Sequence, residues 1–328
     1  MDGAVELTRS ARRLKGELID DGIALDADDP LRHLVLDELD YARRPPVFER
    51  RVPLYGSILV PDDRSLISAG ELVDLVPLDD HPLADARRFA DGRSTYLARR
   101  PDGGRALACF RRSVQYEADM VQVQADTGAY IVQRTPVLNV TRLFTPTSTV
   151  EWAGYRWTNR PNARAEGELL RPQLPDVAPA VLGGLLELAI HWLSPGRTGA
   201  TLVLPGRHGD AGLDFDHSVP APRLSITTRH HYPAMLAALM QTDLACVIRQ
   251  TGPIERIGVA LRPSPDAGAA VEDPRGMRHR SAARYTWDHP GALAVVVSED
   301  GPVTVFRGGQ ALSESAAAAV PAPAVPPG

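Results

Sequence analysis

Lysine is almost missing from this chain: of 36 basic residues, only Lys15 is not arginine. A phosphate-cradling P-loop needs lysine directly after a glycine-rich turn, and Lys15 follows Leu14, so that chemistry is excluded. Cysteine is scarce as well. Cys109 and Cys246 lie far apart without CxxC spacing, which excludes a disulfide framework, a cysteine-based zinc site and the paired cysteines of a zinc deaminase. Neither a G-x-S-x-G elbow nor an H-E-x-x-H helix occurs. Positive charge is not in excess: the formal net charge is −5, so nothing global attracts nucleic acid or an anionic membrane, and any phosphate binding must come from a local cluster. A long hydrophobic run is lacking too. The longest, residues 178–193, contains Glu187 and His191 and falls short of a membrane span. The first 22 residues are too charged for a signal peptide, so the expectation is a cytoplasmic protein with no membrane and no nucleic-acid partner.

What is present is a chain of 328 residues, long enough for two cores. The pattern predicts an N-terminal α+β domain over 1–165, an α/β domain over 176–312 with a mixed central sheet flanked by helices, and a disordered Ala/Pro tail over 313–328. Residues 5–18 and 31–41 have helical spacing, and strands are expected at 57–60, 66–68, 120–123, 129–132 and 137–143. The Pro-, Asn- and Arg-rich stretch 145–175 reads as a long connection holding the domain boundary near 161–175. Beyond it follow a helix at 179–193, a strand at 200–204, a helix with Pro233 in its first turn, strands at 244–248 and 254–261, and a helix from Met277. A hairpin pairs 292–297 with 303–306 around the turn Glu299-Asp300-Gly301-Pro302. A faint internal echo sets residues 112–116, 120–123 and 125–128 beside 280–285, 293–297 and 298–301, as if the N-terminal half were a diverged copy.

Two clusters invite a chemical reading. His230-His231 is the most ligand-like histidine pair, but adjacent side chains diverge, so a polar turn before a helix accounts for it. The second cluster is Gly276-Met277-Arg278-His279-Arg280-Ser281, a turn feeding a helix. A helix start carries partial positive charge, so basic residues crowded there cost energy unless an anion arrives, and the free N–H groups would help to hold it. Two guanidinium forks and an imidazole suit a polyphosphate. A solvated basic turn neutralised by Glu272 and Asp273 is the plainer alternative.

The order of motifs around this turn resembles the diadenylate cyclase (DAC) domain of the DNA integrity scanning protein family. Those domains carry G-T-R-H-R-[A/S/T]-A, and this chain reads Gly276-Met277-Arg278-His279-Arg280-Ser281-Ala282. Their next apolar strand ends in Ser-Glu, as Ala292 to Ser298-Glu299 does here, and their Asp-Gly-Ala before a buried strand is answered by Asp243-Leu244-Ala245. Gly199-Ala200 resembles their early Gly-Ala strand, and residues 254–263 correspond loosely to a hairpin and turn that follow. The likeness spans about the C-terminal third of the chain.

The resemblance implies an enzyme that joins two ATP molecules into cyclic di-AMP, with Mg²⁺ or Mn²⁺ as cofactor and two sites meeting face to face. The pair would be a homo-oligomer or an intramolecular pseudo-dimer. It implies that Asp243 binds the metal and activates the attacking hydroxyl. Arg278, His279, Arg280 and Ser281 would hold phosphates with the backbone of Gly276 and Met277. Ser298 and Glu299 would line the polar side, and Leu244, Ala245 and Leu261 would contact the nucleotide. Three positions depart from the pattern: Leu244 for glycine, Thr242 for the usual histidine, and Met277 for a phosphate-contacting threonine. If position 244 needs positive φ, leucine strains it. An enzyme, a nucleotide sensor using the same pocket with weak or no catalysis, and a ligand-free scaffold therefore all stay open.

Overall fold

The computed structural model describes residues 8–315 apart from 24, 26–28, 45, 48, 50–51, 136–139, 153, 207–208 and 273–274. The chain forms two compact units that divide between Asn159 and Arg160.

The first unit is built on a mixed sheet of eight strands: β1 (Tyr55–Leu59), β2 (Leu72–Pro77), β3 (Thr95–Arg99), β4 (Arg105–Phe110), β5 (Tyr130–Arg134), β6 (Thr141–Phe144), β7 (Ser148–Trp152) and β8 (Trp157–Pro161). Their order is β2-β4-β3-β1-β5-β6-β7-β8, and β1 runs parallel to β3 and antiparallel to β5. Strand alternation sends side chains to two cores. Leu59 and Val132 join the helices Arg9–Asp20 and Pro30–Arg43 on one face; Ile58 and Ile131 meet Met120 and Val123 on the other.

The second unit carries β9 (Ala200–Leu204), β10 (Leu213–Asp214), β11 (Val219–Pro220), β12 (Ala245–Ile248), β13 (Ile254–Leu261), β14 (Leu293–Val297), β15 (Val303–Arg307) and β16 (Gln310–Ser315). The order is β10-β13-β12-β9-β14-β15-β16, with β11 also on β13. Its central strand β9 is parallel to β12 and antiparallel to β14. The continuous apolar run of β14 therefore splits. Leu293, Val295 and Val297 face a large core with the helix Pro179–Glu187 and its π-helical continuation Leu188–Leu193. Ala292, Ala294 and Val296 face the helix Met277–Asp288. Alanines on this second face let that helix lie close to the sheet.

The two sheets share one plan. A central strand is parallel to one neighbour and antiparallel to the other, and a helix precedes the antiparallel neighbour in both units. The echo in the sequence had the wrong register, because residues 120–123 lie in the helix Glu117–Thr127 and correspond to no strand. The structural counterpart of β14 is β5.

Other expectations need correction. Residues 66–68 were expected in a strand, but Asp63–Ile67 is a short helix whose start is capped by Asp62 accepting from Ser65 N at 3.0 Å. The helix Glu117–Thr127 ends at Gly128 in the left-handed conformation (φ 67°) and buries Met120 and Val123; a short apolar run does not reveal its period. The stretch read as a long connection holds β7, β8 and the helix Ala163–Leu170, which is capped by Asn162 accepting from Ala165 N at 2.9 Å. Within the strand expected at 137–143 the described part is Thr141–Phe144, and 137–139 lie outside the described residues. β16 carries the chain through Ser315, three residues into the stretch read as tail; residues 316–328 lie outside the described residues. No helix among the described residues is long and apolar enough to cross a membrane.

Candidate functional site

Strand direction assembles the site. β9 and β12 begin at the edge of the sheet where the antiparallel β14 ends, as the pairs Ala200–Val297 and Thr201–Ala245 show. The loop before β9, the loop before β12 and the turn after β14 therefore converge. They frame a cleft of about 590 Å³ with the start of the helix Met277–Asp288.

Arg278 is its centre. Nη2 donates to Asp243 Oδ1 at 3.2 Å and Nη1 to Glu299 Oε1 at 2.9 Å, so one guanidinium ties together residues 35 and 21 positions away. Its side chain is one-third exposed, whereas those of Asp243 and Glu299 are 89% and 68% exposed. These pairs are wet and weak by themselves, and either carboxylate can be exchanged for another anion. Gly199 makes the approach possible: a β-carbon there would stand 2.5 Å from Arg278 Nη1 and 2.9 Å from Glu299 Cγ.

Among the described residues no side chain caps the helix start, and Gly276 enters it at φ 124°. Successive helical residues point about 100° apart, so Arg278, His279 and Arg280 cannot share one ligand face. Arg278 faces the cleft. His279 is buried, with Nε2 at 3.2 Å from Thr304 Oγ1 and its ring against Phe306. Arg280 is exposed, Ser281 is half-buried and Met277 is 82% exposed; none of these lines the cleft. Nor do the half-buried Ser298 and the buried Ala245, and Leu261 pairs with Leu213 and packs toward Tyr285. Leu244 sits beside Asp243 with φ 73° and its side chain 53% exposed, which is the strained backbone that the Asp-Gly-Ala comparison implied. Thr242 donates to Ala238 O at 2.9 Å and lines the cleft.

Sequence reasoning missed Arg197. It is exposed on the cleft wall in the loop Gly196-Arg197-Thr198-Gly199, again with positive φ (50°). The signal available was two glycines three apart between a helix and a strand. Cys246, two residues into the strand wall, is no nucleophile: burial pushes its thiol up to about 12. Elsewhere, His231 Nδ1 accepts from Ser225 N at 3.0 Å, which makes it part of a turn as expected. No cluster of three His, Cys, Asp or Glu side chains suited to a metal occurs among the described residues.

Residues 187–311 match the family model described as DisA bacterial checkpoint controller nucleotide-binding, which spans every element of the cleft. The C-terminal unit carries a DAC domain. Residues 12–160, nearly all of the first unit, match a second family model, described as Probable sensor domain DACNK. No curated protein matches the chain. Among solved structures, one described as a hypothetical membrane spanning protein from Bacillus cereus is 20% identical over 45% of this chain and 74% of its own, with a TM-score of 0.33.

A divalent ion fits the donors of this DAC cleft in one way. Magnesium is held by one or two carboxylates plus substrate phosphates rather than by an all-protein cage, and Asp243 is a single exposed carboxylate at the cleft.

Proposed function

We propose that the DAC cleft binds ATP and, when two such clefts face one another, joins two ATP molecules into cyclic di-AMP. The observation that carries this reading is Arg278 held between Asp243 and Glu299 inside one cleft. Without ligand, the guanidinium is shared between its two carboxylates, which leave the trio with one net negative charge. An arriving phosphate competes for the guanidinium fork, for which it is a better bidentate partner. Arg278 then turns to the phosphate and Asp243 is released toward the 3′-hydroxyl of the nucleotide opposite. Asp243 orients that hydroxyl and takes its proton while the oxygen attacks the α-phosphorus in line; the bond to the β-phosphate oxygen breaks and pyrophosphate leaves. Two such transfers close the ring. Asp243, together with the bound phosphates, would hold Mg²⁺ or Mn²⁺, and such an ion would supply charge neutralisation during the transfer. Arg197 adds a second positive charge on the cleft wall.

Leu244 favours a second reading. Where its side chain and strained backbone keep a nucleotide from settling against Asp243, the cleft binds without cyclising, and the unit is a sensor. In either case the first unit, with its likeness to a sensor domain, is the part that receives a signal. Incubating the protein with ATP and Mn²⁺ and resolving the products tests the proposal. Cyclic di-AMP from wild type, absent with Asp243→Asn, is the expected outcome. ATP binding without product supports the sensor, and no ATP binding removes both.

A further inference from the structure

Both loops that enter the DAC cleft from the sheet carry strained backbone. Among the described residues three that are not glycine have positive φ, and two of them, Arg197 (50°) and Leu244 (73°), precede β9 and β12. At Arg197 the cause is the way the preceding helix stops. Leu193 O accepts from Thr198 N at 3.0 Å, and Ser194 O accepts from Arg197 N at 3.0 Å. The chain thus leaves the π-helical segment Leu188–Leu193 through a Schellman turn, with Arg197 at its left-handed position. Glycine is the usual residue there, because a β-carbon is penalised at that φ. A cation near a helix C-terminus is favourable by itself, but a residue of ordinary φ would give the same benefit without the strain.

What the strain supports is the cleft. The Arg197 side chain is exposed on its wall, and no ion-pair partner for it occurs among the described residues. Arg278 is already shared between Asp243 and Glu299, and its guanidinium rests against Gly199, two residues from Arg197. The four charged residues of the described lining therefore divide unequally. Arg278 and its two carboxylates are together negative, which repels a polyphosphate. Arg197 cancels that excess, and of the two arginines it is the one able to meet an anion before any pair breaks.

We propose that Arg197 and Arg278 form a diphosphate subsite, which holds the β- and γ-phosphates of a nucleoside triphosphate and the pyrophosphate that leaves. The inference rests on reading the DAC cleft as an ATP site, and it makes Arg197 the residue that selects a triphosphate. Two guanidinium forks offer paired N–H donors to oxygens on two neighbouring phosphates, and a lone phosphate cannot fill both. As the bond from the α-phosphorus to the bridging oxygen breaks, negative charge builds on the departing pyrophosphate. Cations placed there favour the transition state over the bound substrate. The α-phosphate lies outside the subsite, so a nucleoside monophosphate gains little from Arg197.

The test is calorimetric titration of the full chain in buffer containing Mg²⁺, with inorganic pyrophosphate, inorganic phosphate and AMP as probes. Wild type is compared with Arg197→Gly and Arg197→Asn, two replacements that accept left-handed backbone and so remove the charge without adding strain. Pyrophosphate is expected to bind wild type at least roughly tenfold more tightly than phosphate does, and either variant at least roughly tenfold more weakly than wild type, with AMP affinity changed less than about twofold. Pyrophosphate bound by the variants as tightly as by wild type overturns the proposal. So does an equal loss of AMP and pyrophosphate affinity, which would mark Arg197 as a support of the loop. Pyrophosphate binding that depends on Arg197, without cyclic di-AMP from ATP and Mn²⁺, removes the cyclase reading and leaves the subsite. Cyclic di-AMP made by Arg197→Gly at the wild-type rate removes the subsite and leaves the cyclase.

Discussion

At Leu244 the backbone adopts φ 73°, a region that costs an ordinary L-residue about 1–2 kcal/mol. Its side chain is more than half exposed, so little burial repays the strain. Leu244→Gly should stabilise the second unit by about 0.5–1 kcal/mol, net of the entropy that glycine loses on folding, as denaturant titration would show. It should also raise any cyclase activity, and a drop in stability would show that the leucine packs to better purpose than its exposure says. The arginines and the histidine of the Arg278-His279-Arg280 segment part company in the same way. Arg278→Ala should weaken ATP binding about 10- to 100-fold by calorimetry, since it removes a charged hydrogen-bonding fork, while changing stability by no more than about 0.5 kcal/mol. His279→Ala should do the reverse. It leaves the fully buried Thr304 hydroxyl without its partner, so it should cost about 1–3 kcal/mol of stability, with nucleotide affinity affected far less in the fraction that stays folded.

At the scale of elements, caps decide where helices begin and end. Gly128 closes the helix Glu117–Thr127 in the left-handed conformation, and a β-carbon there would meet nothing within 4 Å. Gly128→Ala therefore isolates the backbone penalty and should lower stability by about 1 kcal/mol, a shift of a few degrees in the melting temperature. This helix is also where the sequence pattern misled. Residues 120–123 alternate too briefly to distinguish a period of 2 from one of 3.6, and the deciding signals were its glycine stop and the acidic residues Glu117 and Asp119 in its first turn. In contrast, the helix Met277–Asp288 and the strands β9, β13 and β14 stand where the sequence put them, because each is bounded by glycine, proline or a polar turn and has a continuous apolar run or a clear face. The strands β7 and β8 were invisible for the opposite reason. Their residues are largely polar, with the buried Glu151 accepting from Arg142 at 2.6 Å across the ladder.

At the scale of the molecule, two sheets follow the same strand order, and each is covered on both faces by its own core. Units with separate cores fold separately. Residues 1–159 and 160–318 expressed apart should each show cooperative thermal unfolding by circular dichroism; a fragment that unfolds without a transition would show that its core is incomplete. The repeat of architecture without repeat of chemistry also explains why the sequence echo was faint. The residues that begin the helix are Met277-Arg278 in one unit and Glu117-Ala118 in the other, so the shared plan survives in burial patterns while the cleft arginine exists only once.

The sequence by itself determined the existence of two globular parts, the alternation that builds β9 and β14, the helix start at Met277 and the motif order that matches a DAC domain, because each depends on neighbours within a dozen residues. It also singled out Leu244 as a leucine where the resembling domains carry glycine, while the positive φ that strains it is seen only in the structure. Tertiary structure alone decided that Arg278 and not His279 faces the cleft, and that Gly199, Asp243 and Glu299 meet at one sheet edge. Those are properties of how strands of opposite direction are laid side by side, and a one-dimensional pattern does not carry the distance between residues brought together that way.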